Sequence, residues 1–427
     1  MVEWTYGQAS AEEGRDETST QQVKEKMVKI VVRTMRNKWK TAILVVTLLF
    51  LSLSLYQPVK TAKGFVVNTG LLVTNSISMD EGRIAIQSSS TDLTINVYDI
   101  ASGANVTFAI PPGGPSGGAI AYFPVVSGNR IVIAGNLTIS TSTIFYCDLP
   151  LSSTLQPCGP WEIVAKNAPG ASAFGAWGFP MSHGDLVAWP IIGGFAYWRF
   201  SVGVTTTVLT PGSQPYSVST DGQIIAFSAK PTSSSPSYNL MYFDTSETSR
   251  GVVNTGLPSG QYSTSVSEKT IAFADNSSGT PNRLRYYNVL SNQASTAGTG
   301  PIGKLAPTYY DTPTIWENRI VFIVDEVSDG YDCNGDGTKS SSEYCLGYWN
   351  IRAPGYVATT LASSAAPPLT LYPAIYGNII AFKGSDGNLQ YVTVPMKGDV
   401  DLNGIVDAND QNLVNNCLGQ VLKGTVC

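Results

Sequence analysis

The stretch PYSVSTDGQIIAF (residues 215–227) places a turn ending in Asp-Gly directly before an apolar run of β-branched and aromatic residues. This order predicts a reverse turn that leads into a buried β-strand. Six further segments share the pattern: MDEGRIAI, VSGNRIVI, SHGDLVAW, SEKTIAF, WENRIVF and YGNIIAF, ending at residues 86, 133, 189, 273, 322 and 382. Each copy is followed by a second strand-like segment rich in aromatic residues, such as LMYFD or LRYYN. The chain therefore repeats one supersecondary unit seven times.

A period near 49 residues, built from short strands and turns, is typical of a β-propeller. Residues 215–227 resemble the repeat of TolB-like propellers, with its proline, its Asp-Gly turn and its apolar strand. VSGNRIVI and WENRIVF look like the variant of that repeat found in bacterial and archaeal surface proteins. The resemblance covers residues 64–396 and implies a fold, not an activity. We predict an all-β chain built on a seven-bladed β-propeller.

The seventh repeat lacks an outer strand in its own part of the chain, although an inner strand is expected near residues 369–374. The missing strand has a candidate at the other end of the domain. GFVVNTGLL (residues 64–72) repeats almost letter for letter GVVNTGL (residues 251–257), the outer strand and exit of blade four. We predict that residues 65–68, within a closing segment at 64–70, complete the seventh blade. A coincidental match in a linker is the alternative.

The N-terminal part of the chain carries an export signal. TAILVVTLLFLSLSLY (residues 41–56) is strongly apolar, and four Lys or Arg residues precede it within residues 33–40. This flank predicts that residues 1–40 face the cytoplasm and that the remainder is exported to the cell surface or beyond. The run is short for a span of about 20 residues and suits a signal peptide, whereas the long leader suits an uncleaved anchor. We assign residues 1–40 to a polar leader, with a possible start at Met35, and residues 41–57 to a signal peptide or signal anchor. Membrane contact is expected only through that segment, if it is uncleaved.

The surface is polar but weakly charged. Charged residues make up 13% of the chain, and residues 41–427 carry −7, because the first 40 residues hold +2 of the total of −5. No basic face is available for nucleic acid. Sequons that export would expose to N-glycosylation begin at Asn105, Asn136 and Asn276.

The six cysteines form three near pairs. The pairs are Cys147 with Cys158, Cys333 with Cys345, and Cys417 with Cys427. Six cysteines allow 15 pairings, but short separations favour local closure, and an exported chain meets an oxidising compartment. We predict three disulfides, with buried free thiols as the alternative.

A calcium loop of the EF-hand type interrupts the sixth repeat. DCNGDGTKSSSE (residues 332–343) has Gly at position 6 and oxygen ligands at positions 1, 3, 5, 7 and 12, which are Asp332, Asn334, Asp336, Thr338 and Glu343. Ca²⁺ takes six to eight such oxygens. A polar turn is the alternative, but such a turn has no need of Glu at position 12. We place the loop between the second and third strands of blade six.

A second loop lies at the C-terminus, where residues 398–419 resemble one repeat of a type I dockerin. Its ligand positions hold Asp399, Asp401, Asn403, Ile405 through its carbonyl, Asp407 and Asp410. A short helix is expected to follow, so residues 397–427 are predicted to form a small α-helical calcium-binding unit. Dockerins carry two repeats and bind cohesin modules of cell-surface or polysaccharide-degrading assemblies; the single repeat here departs from that pattern. The resemblance implies a cohesin-like partner or a second copy of this chain.

No catalytic residue is assigned. The one histidine, His183, aligns with turn residues of the other blades, and no strained nucleophile turn accompanies it. Paired carboxylates can cleave glycosides, but no pair stands out. Asp99, Asp244, Asn288 and Asn350 end third strands and suggest turn formation. Repeat-matched strand positions favour a core role over a sugar-binding role for most of Trp177, Trp189, Trp198, Trp316 and Trp349.

Three functional hypotheses follow. The leading one is a calcium-stabilised binding or structural module at the cell surface, attached through residues 397–427. The second is an enzyme or accessory subunit of the glycoside hydrolase or lyase type that acts on polysaccharide, which makes carbohydrate a candidate ligand. The third is a subunit of a self-assembling extracellular fibre.

Both loops are expected to bind Ca²⁺ at about 10⁻⁴ to 10⁻³ M, the range of extracellular modules. Asp332→Ala and Asp399→Ala should each remove one equivalent in calorimetry, and a chelator should lower the melting temperature because it removes ligand from the folded state. An unchanged melt with no calorimetric binding would rule out both sites.

Overall fold

The structure is a computed structural model that describes parts of residues 66–394. The gaps within that range are residues 75, 88–93, 110–123, 139–140, 151–157, 169–179, 192, 211–214, 216–217, 233, 236, 258–259, 276–282, 296–312, 326–337, 339–343, 353–358, 365–372 and 385. The predicted leader, export signal and C-terminal calcium unit all lie outside the described residues. So does the first calcium loop, apart from Thr338.

The described chain forms 28 strands in seven four-stranded antiparallel sheets. Blades one and two are β2 (Ile77–Asp80), β3 (Arg83–Gln87), β4 (Thr94–Asp99), β5 (Asn105–Ala109), and β6 (Val125–Ser127), β7 (Arg130–Thr138), β8 (Thr141–Asp148), β9 (Glu162–Ala168). Blades three and four are β10 (Met181–His183), β11 (Leu186–Ile191), β12 (Gly194–Arg199), β13 (Val204–Leu209), and β14 (Val218–Thr220), β15 (Ile224–Ala229), β16 (Asn239–Asp244), β17 (Val253–Asn254). Blades five and six are β18 (Gln261–Ser267), β19 (Thr270–Asp275), β20 (Arg283–Asn288), β21 (Gln293–Ala294), and β22 (Thr314–Trp316), β23 (Arg319–Asp325), β24 (Tyr344–Asn350), β25 (Thr359–Ser364). Blade seven is β26 (Ala374–Tyr376), β27 (Ile379–Lys383), β28 (Asn388–Thr393) and β1 (Val66–Leu72).

Helix is almost absent from the part of the chain that is described. A 3₁₀ turn at Thr248–Arg250 follows β16. Within the described residues, no helix has the length and apolarity that a membrane span needs.

The first strands of the blades lie at the centre of a closed ring. Each contacts the first strand of the next blade, and β26 of blade seven contacts β2 of blade one. Because the contacts return to the starting blade, the sheets form a seven-bladed propeller. The all-β fold predicted from the repeat is confirmed.

Apolar side chains pack between neighbouring blades rather than in one central core. The described residues form seven such clusters, one at each interface. In β3, Ile84 and Ile86 pack toward blade seven, while Ala85 packs toward blade two. Consecutive strand residues point to opposite faces, so a sheet buried on both faces needs apolar residues at every position. This explains the IAI, IVI and IAF runs of the repeat.

Strand β1 closes the ring. It pairs antiparallel with β28, with Val66 opposite Val392. The predicted closing pair is therefore present, and β1 runs on to Leu72, beyond the expected end at residue 68. The inner strand expected near residues 369–374 instead begins at Ala374, directly after Pro373, since proline has no N–H for the ladder and restricts the residue before it.

The sequence Val-Val-Asn-Thr-Gly occurs at residues 66–70 and again at residues 252–256. Both copies form the same side-chain hydrogen bond. Asn68 Oδ1 accepts from the Gly70 N–H at 2.9 Å, and Asn254 Oδ1 accepts from the Gly256 N–H at 3.0 Å. Both glycines adopt left-handed backbone, with φ of 74° and 71°. The Asn-Thr-Gly sequence specifies this local conformation. The two segments therefore have similar structures because they have similar sequences.

Side chains of one blade accept hydrogen bonds from the first strand of the next blade or from the turn that follows that strand. That strand has a sheet neighbour on one side only, so N–H groups on its other edge need partners. Asp80 Oδ2 accepts from the Gly128 N–H at 2.8 Å, and Ser127 Oγ accepts from the Gly184 N–H at 2.7 Å. The same kind of bond joins Ser78 to Val126, Asp221 to Lys269, Ser265 to Ile315 and Ser267 to Glu317.

The turn after each first strand needs a residue in the left-handed region. Four blades use glycine, with φ of 55°, 57°, 90° and 61° at Gly128, Gly184, Gly222 and Gly377. Three blades use glutamate, with φ of 47°, 46° and 50° at Glu81, Glu268 and Glu317. Left-handed backbone costs an L-residue about 1–2 kcal/mol, so these three turns are strained where the other four are not.

The closing strand is expected to support the whole ring. A chain starting at residue 70 should melt well below one starting at residue 64, because loss of residues 64–69 removes most of β1 and exposes the edge of β28. Thermal unfolding of the two chains, both lacking the export signal, measures the difference. Equal melting temperatures would show that the ring does not depend on this pairing.

Glu268→Gly should leave stability unchanged or raise the free energy of unfolding by about 1 kcal/mol. Relief of left-handed strain, about 1–2 kcal/mol, outweighs the added entropy of glycine in the unfolded chain, about 0.4–1 kcal/mol. The reverse change, Gly377→Glu, should destabilise the protein by a similar amount. Denaturant unfolding of both variants tests the pair, and a less stable Glu268→Gly would contradict the strain argument.

Candidate ligand site at the mouth of the central channel

The turns after the seven first strands surround one end of the central axis. We call the last residue before each turn its rim position. The rim positions are Asp80, Ser127, His183, Asp221, Ser267, Trp316 and Tyr376. A cavity of about 370 Å³ opens among those of blades one, two, three, six and seven. We call this cavity the mouth.

Two aromatic rings form one side of the mouth. Trp316 and Tyr376 are half-buried, and their ring centroids lie 4.1 Å apart at an interplanar angle of 42°. Trp316 also packs on the apolar cluster between blades six and seven. Trp316 is therefore positioned by the apolar cluster on one side, while both rings line the cavity.

Two carboxylates line the same cavity as the aromatic pair. Asp80 is only 7% exposed, and one of its oxygens caps the Gly128 N–H. Glu81 is exposed at the next position, and its carboxylate leans over the turn of blade two, where a Cβ on Gly128 would lie 3.5 Å from Glu81 Oε2. Neither makes an ion pair with a described residue.

The positive charge that lines the mouth is already paired. Arg130 donates from Nε to Asp148 Oδ1 at 2.6 Å and from Nη2 to Asp148 Oδ2 at 3.2 Å. Its guanidinium also lies 3.7 Å from the centroid of the Phe200 ring. A bidentate pair of this kind is well oriented, so the Arg130 guanidinium is engaged by Asp148 and not by Asp80 or Glu81.

The carboxylates and the aromatic pair share one cavity, and their charges act on one another. Burial raises the pKa of the Tyr376 hydroxyl, and the negative charges of Asp80, Glu81 and Glu317 raise it further. Burial also raises the pKa of the Asp80 carboxyl, against the lowering effects of the Gly128 N–H and of nearby His183. The mouth is thus a partly dehydrated, electronegative cavity.

The chemistry of the mouth suits binding. Aromatic faces and carboxylate oxygens can hold a ligand by stacking and by charge-assisted hydrogen bonds. His183 ends β10 directly before its turn, as expected, and makes no hydrogen bond that the described residues show. No three His, Cys, Asp or Glu side chains in the described part of the chain are grouped closely enough to hold a metal ion.

The residues predicted as sites lie elsewhere or are not described. Of the first calcium loop only Thr338 is described, and it is exposed, while the second loop lies wholly outside. Cys147 and Cys158 are joined by a disulfide between β8 and β9, with Cα atoms 5.8 Å apart. Cys345 is the second residue of β24 and its side chain is not described, and Cys333, Cys417 and Cys427 lie outside the described residues. Asn105 is exposed at the start of β5, the side chain of Asn136 in β7 is not described, and Asn276 lies outside.

The polar ends of the third strands form turns, as predicted. Asp99 Oδ1 accepts from the Ser102 N–H at 2.8 Å, and Asn288 Oδ1 accepts from the Ser291 N–H at 2.9 Å. Asp244 and Asn350 bond in the same way to the N–H groups of Ser246 and Arg352.

The tryptophans divide between core and mouth. Trp189 and Trp349 are buried at 1% and 8% exposure, which confirms the core interpretation for them. Trp198 is partly buried against the cluster between blades two and three. Trp316 lines the mouth, and Trp177 lies outside the described residues. An alignment of the seven repeats at their turns could have identified the mouth. The residue type at the rim position differs from blade to blade, whereas the second strand that follows is apolar in every blade.

Comparison with known proteins shows similarity of fold. No family model and no curated protein matches the chain. A chain of the mitotic checkpoint complex is 13% identical with a TM-score of 0.48, covering 79% of this chain and 96% of that chain. The β-propeller domain of the Trilobed protease from Pyrococcus furiosus is 12% identical with a TM-score of 0.43, covering 68% and 84%. TolB from Acinetobacter baumannii is 13% identical with a TM-score of 0.35, covering 75% and 79%.

Likeness at these identities and TM-scores carries no functional argument. The assignment of this chain to the seven-bladed β-propellers therefore stands on its own strand pairing.

Proposed function

We propose that this protein is an exported binding module: a calcium-stabilised propeller whose ligand sits in the mouth and which is attached or assembled through residues 397–427. The observation that supports this best is the mouth itself. An aromatic pair and two carboxylates that make no ion pair with a described residue meet there in a cavity of about 370 Å³. Ligand sites are typically concave, with a few placed polar groups beside apolar surface.

The position of the chain ends supports attachment beside the ligand site. Val66 lies opposite Val392, and Thr393 lies opposite Ile379, the first residue after the turn of blade seven. The described chain therefore begins and ends on the face that carries the mouth. A cohesin-like partner or second copy bound through residues 397–427 would follow in the chain from the end that lies on this face.

Strand pairing supports the calcium proposal for the first loop. Asp325 at the end of β23 lies opposite Tyr344 at the start of β24, so residues 326–343 connect two adjacent strands. Their ends are fixed by a sheet, which replaces the two helices that flank such a loop in an EF-hand. Ca²⁺ bound there would stabilise the hairpin of blade six.

Screening of the purified protein against a panel of glycans and polysaccharides, for both binding and product release, tests this function. Binding without product release would support the binding module, and Trp316→Leu should then abolish it, because half of the aromatic pair is lost. Trp161→Leu is the matched control, since Trp161 is a partly buried tryptophan that packs between blades one and two, away from the mouth.

Release of sugar products would favour the polysaccharide-acting enzyme instead. Filaments in electron microscopy would favour the fibre subunit. Equal loss of binding in the two tryptophan variants would show that the ligand does not sit in the mouth.

A further inference from the structure

Asp80 is a buried carboxylate that makes no ion pair with a described residue, although the imidazole of His183 lies nearby. Asp80 is 7% exposed, and among the described residues it accepts one hydrogen bond from a neighbouring blade, that of the Gly128 N–H. Buried charges in proteins are normally paired, because dehydration of an ion is unfavourable. At the equivalent position, Ser127 and Ser267 cap the next blade with a neutral hydroxyl. The cap therefore does not require the negative charge that Asp80 brings to the cavity.

Glu81 adds a second negative charge at an unfavourable backbone position. It occupies a left-handed turn, with φ of 47°, where blades two, three, four and seven use glycine. Its carboxylate lies next to the cavity and makes no ion pair with a described residue. Three carboxylates and one guanidinium line the mouth, and Arg130 is neutralised by Asp148. Of the Asp, Glu, Lys and Arg side chains that line the mouth, those of Asp80 and Glu81 remain, and both are negative; the imidazole of His183 lines it as well.

The aromatic pair distinguishes an organic cation from a metal ion. Ca²⁺ and Mg²⁺ prefer a shell of oxygen atoms, and the described residues group no three His, Cys, Asp or Glu side chains closely enough for one. The faces of Trp and Tyr attract organic cations through their π electrons. Trp316 and Tyr376 lie in the same cavity as the two carboxylates.

We propose that the mouth recognises an organic cation, namely an alkylammonium or guanidinium group. This inference rests on the proposed function, in which the mouth is the ligand site. The cation lies between the Asp80 and Glu81 carboxylates and the Trp316–Tyr376 pair. Two sources share this chemistry: a free polyamine, and the side chain of a lysine or arginine in a polypeptide. A cavity of about 370 Å³ has room for one such side chain.

Calorimetric titration of the full chain tests the ligand class. The probes are spermidine, the amides of Nα-acetyl-lysine and Nα-acetyl-arginine, and the amide of Nα-acetyl-norleucine as a neutral match. We expect the cationic probes to bind and the neutral one not to bind. Tighter binding of spermidine would identify a free amine as the source, whereas tighter binding of the amino-acid amides would identify a polypeptide side chain.

Two variants test the carboxylates, and each introduces the residue type that other blades have at the equivalent position. Asp80→Ser keeps the cap and removes the charge, and Glu81→Gly removes the second charge while relieving the left-handed turn. Each should weaken cation binding about tenfold or more, since a charge-assisted contact is lost. Glu268→Gly is the control, because Glu268 has the same backbone strain, with φ of 46°, in a turn that does not line the mouth. It should bind like the unchanged protein.

The outcomes separate this inference from the proposed function. Equal binding of the neutral probe, or unchanged cation binding in Asp80→Ser and Glu81→Gly, overturns the cation. If a glycan then binds and Trp316→Leu removes it, the binding function still stands. If no probe and no glycan binds, both proposals fail. Should Asp80→Ser not fold, Glu81→Gly decides alone.

Discussion

Each sheet of this propeller has two apolar faces, and no blade can bury both of them by itself. Ile84 and Ala85 are adjacent in one strand, yet they pack against different neighbouring blades. A row of seven sheets would expose one apolar face at each end, whereas a closed ring exposes none. The apolar runs of the repeat, the caps between first strands and the closing strand all follow from this requirement.

The same requirement leaves the rim positions free to differ. A rim residue ends its strand beside the axis. The structural requirement there is a side-chain acceptor for an N–H group of the next blade. Serine meets that need at Ser127 and Ser267. Asp80 brings a negative charge to the cavity, and Trp316 and Tyr376 bring large aromatic rings. Capping requires neither the charge nor the rings. The mouth is therefore the part of the ring whose chemistry is least determined by packing.

Local patterns predicted the blades and the closing strand, because each depends on residues close together in the chain. Asn68 and Gly70 form a turn that their own letters specify. The mouth was not predicted, since Asp80 and Tyr376 are distant in the chain and meet only because the ring closes. Trp316 occupies a repeat-matched strand position, which favoured core, and periodicity alone does not show that it ends the strand beside a cavity. The start of β26 was misplaced because apolar letters before Pro373 resemble a strand.

Closure by β1 also determines the order in which the chain can fold. Thr69 Oγ1 donates to the carbonyl of Leu389, a contact that spans 320 residues. The equilibrium penalty for so long a loop is modest, since each doubling of length adds only about 0.6 kcal/mol. The delay is larger: at about 5–20 residues per second, β1 exists for roughly 15 to 60 s of synthesis before β28 does. During that interval β1 is an unpaired strand edge, open to aggregation, and its Asn68 and Gly70 make it a poorer template for self-pairing because Asn and Gly are disfavoured in strands and favoured in turns. The letters that direct closure thus also protect the nascent chain.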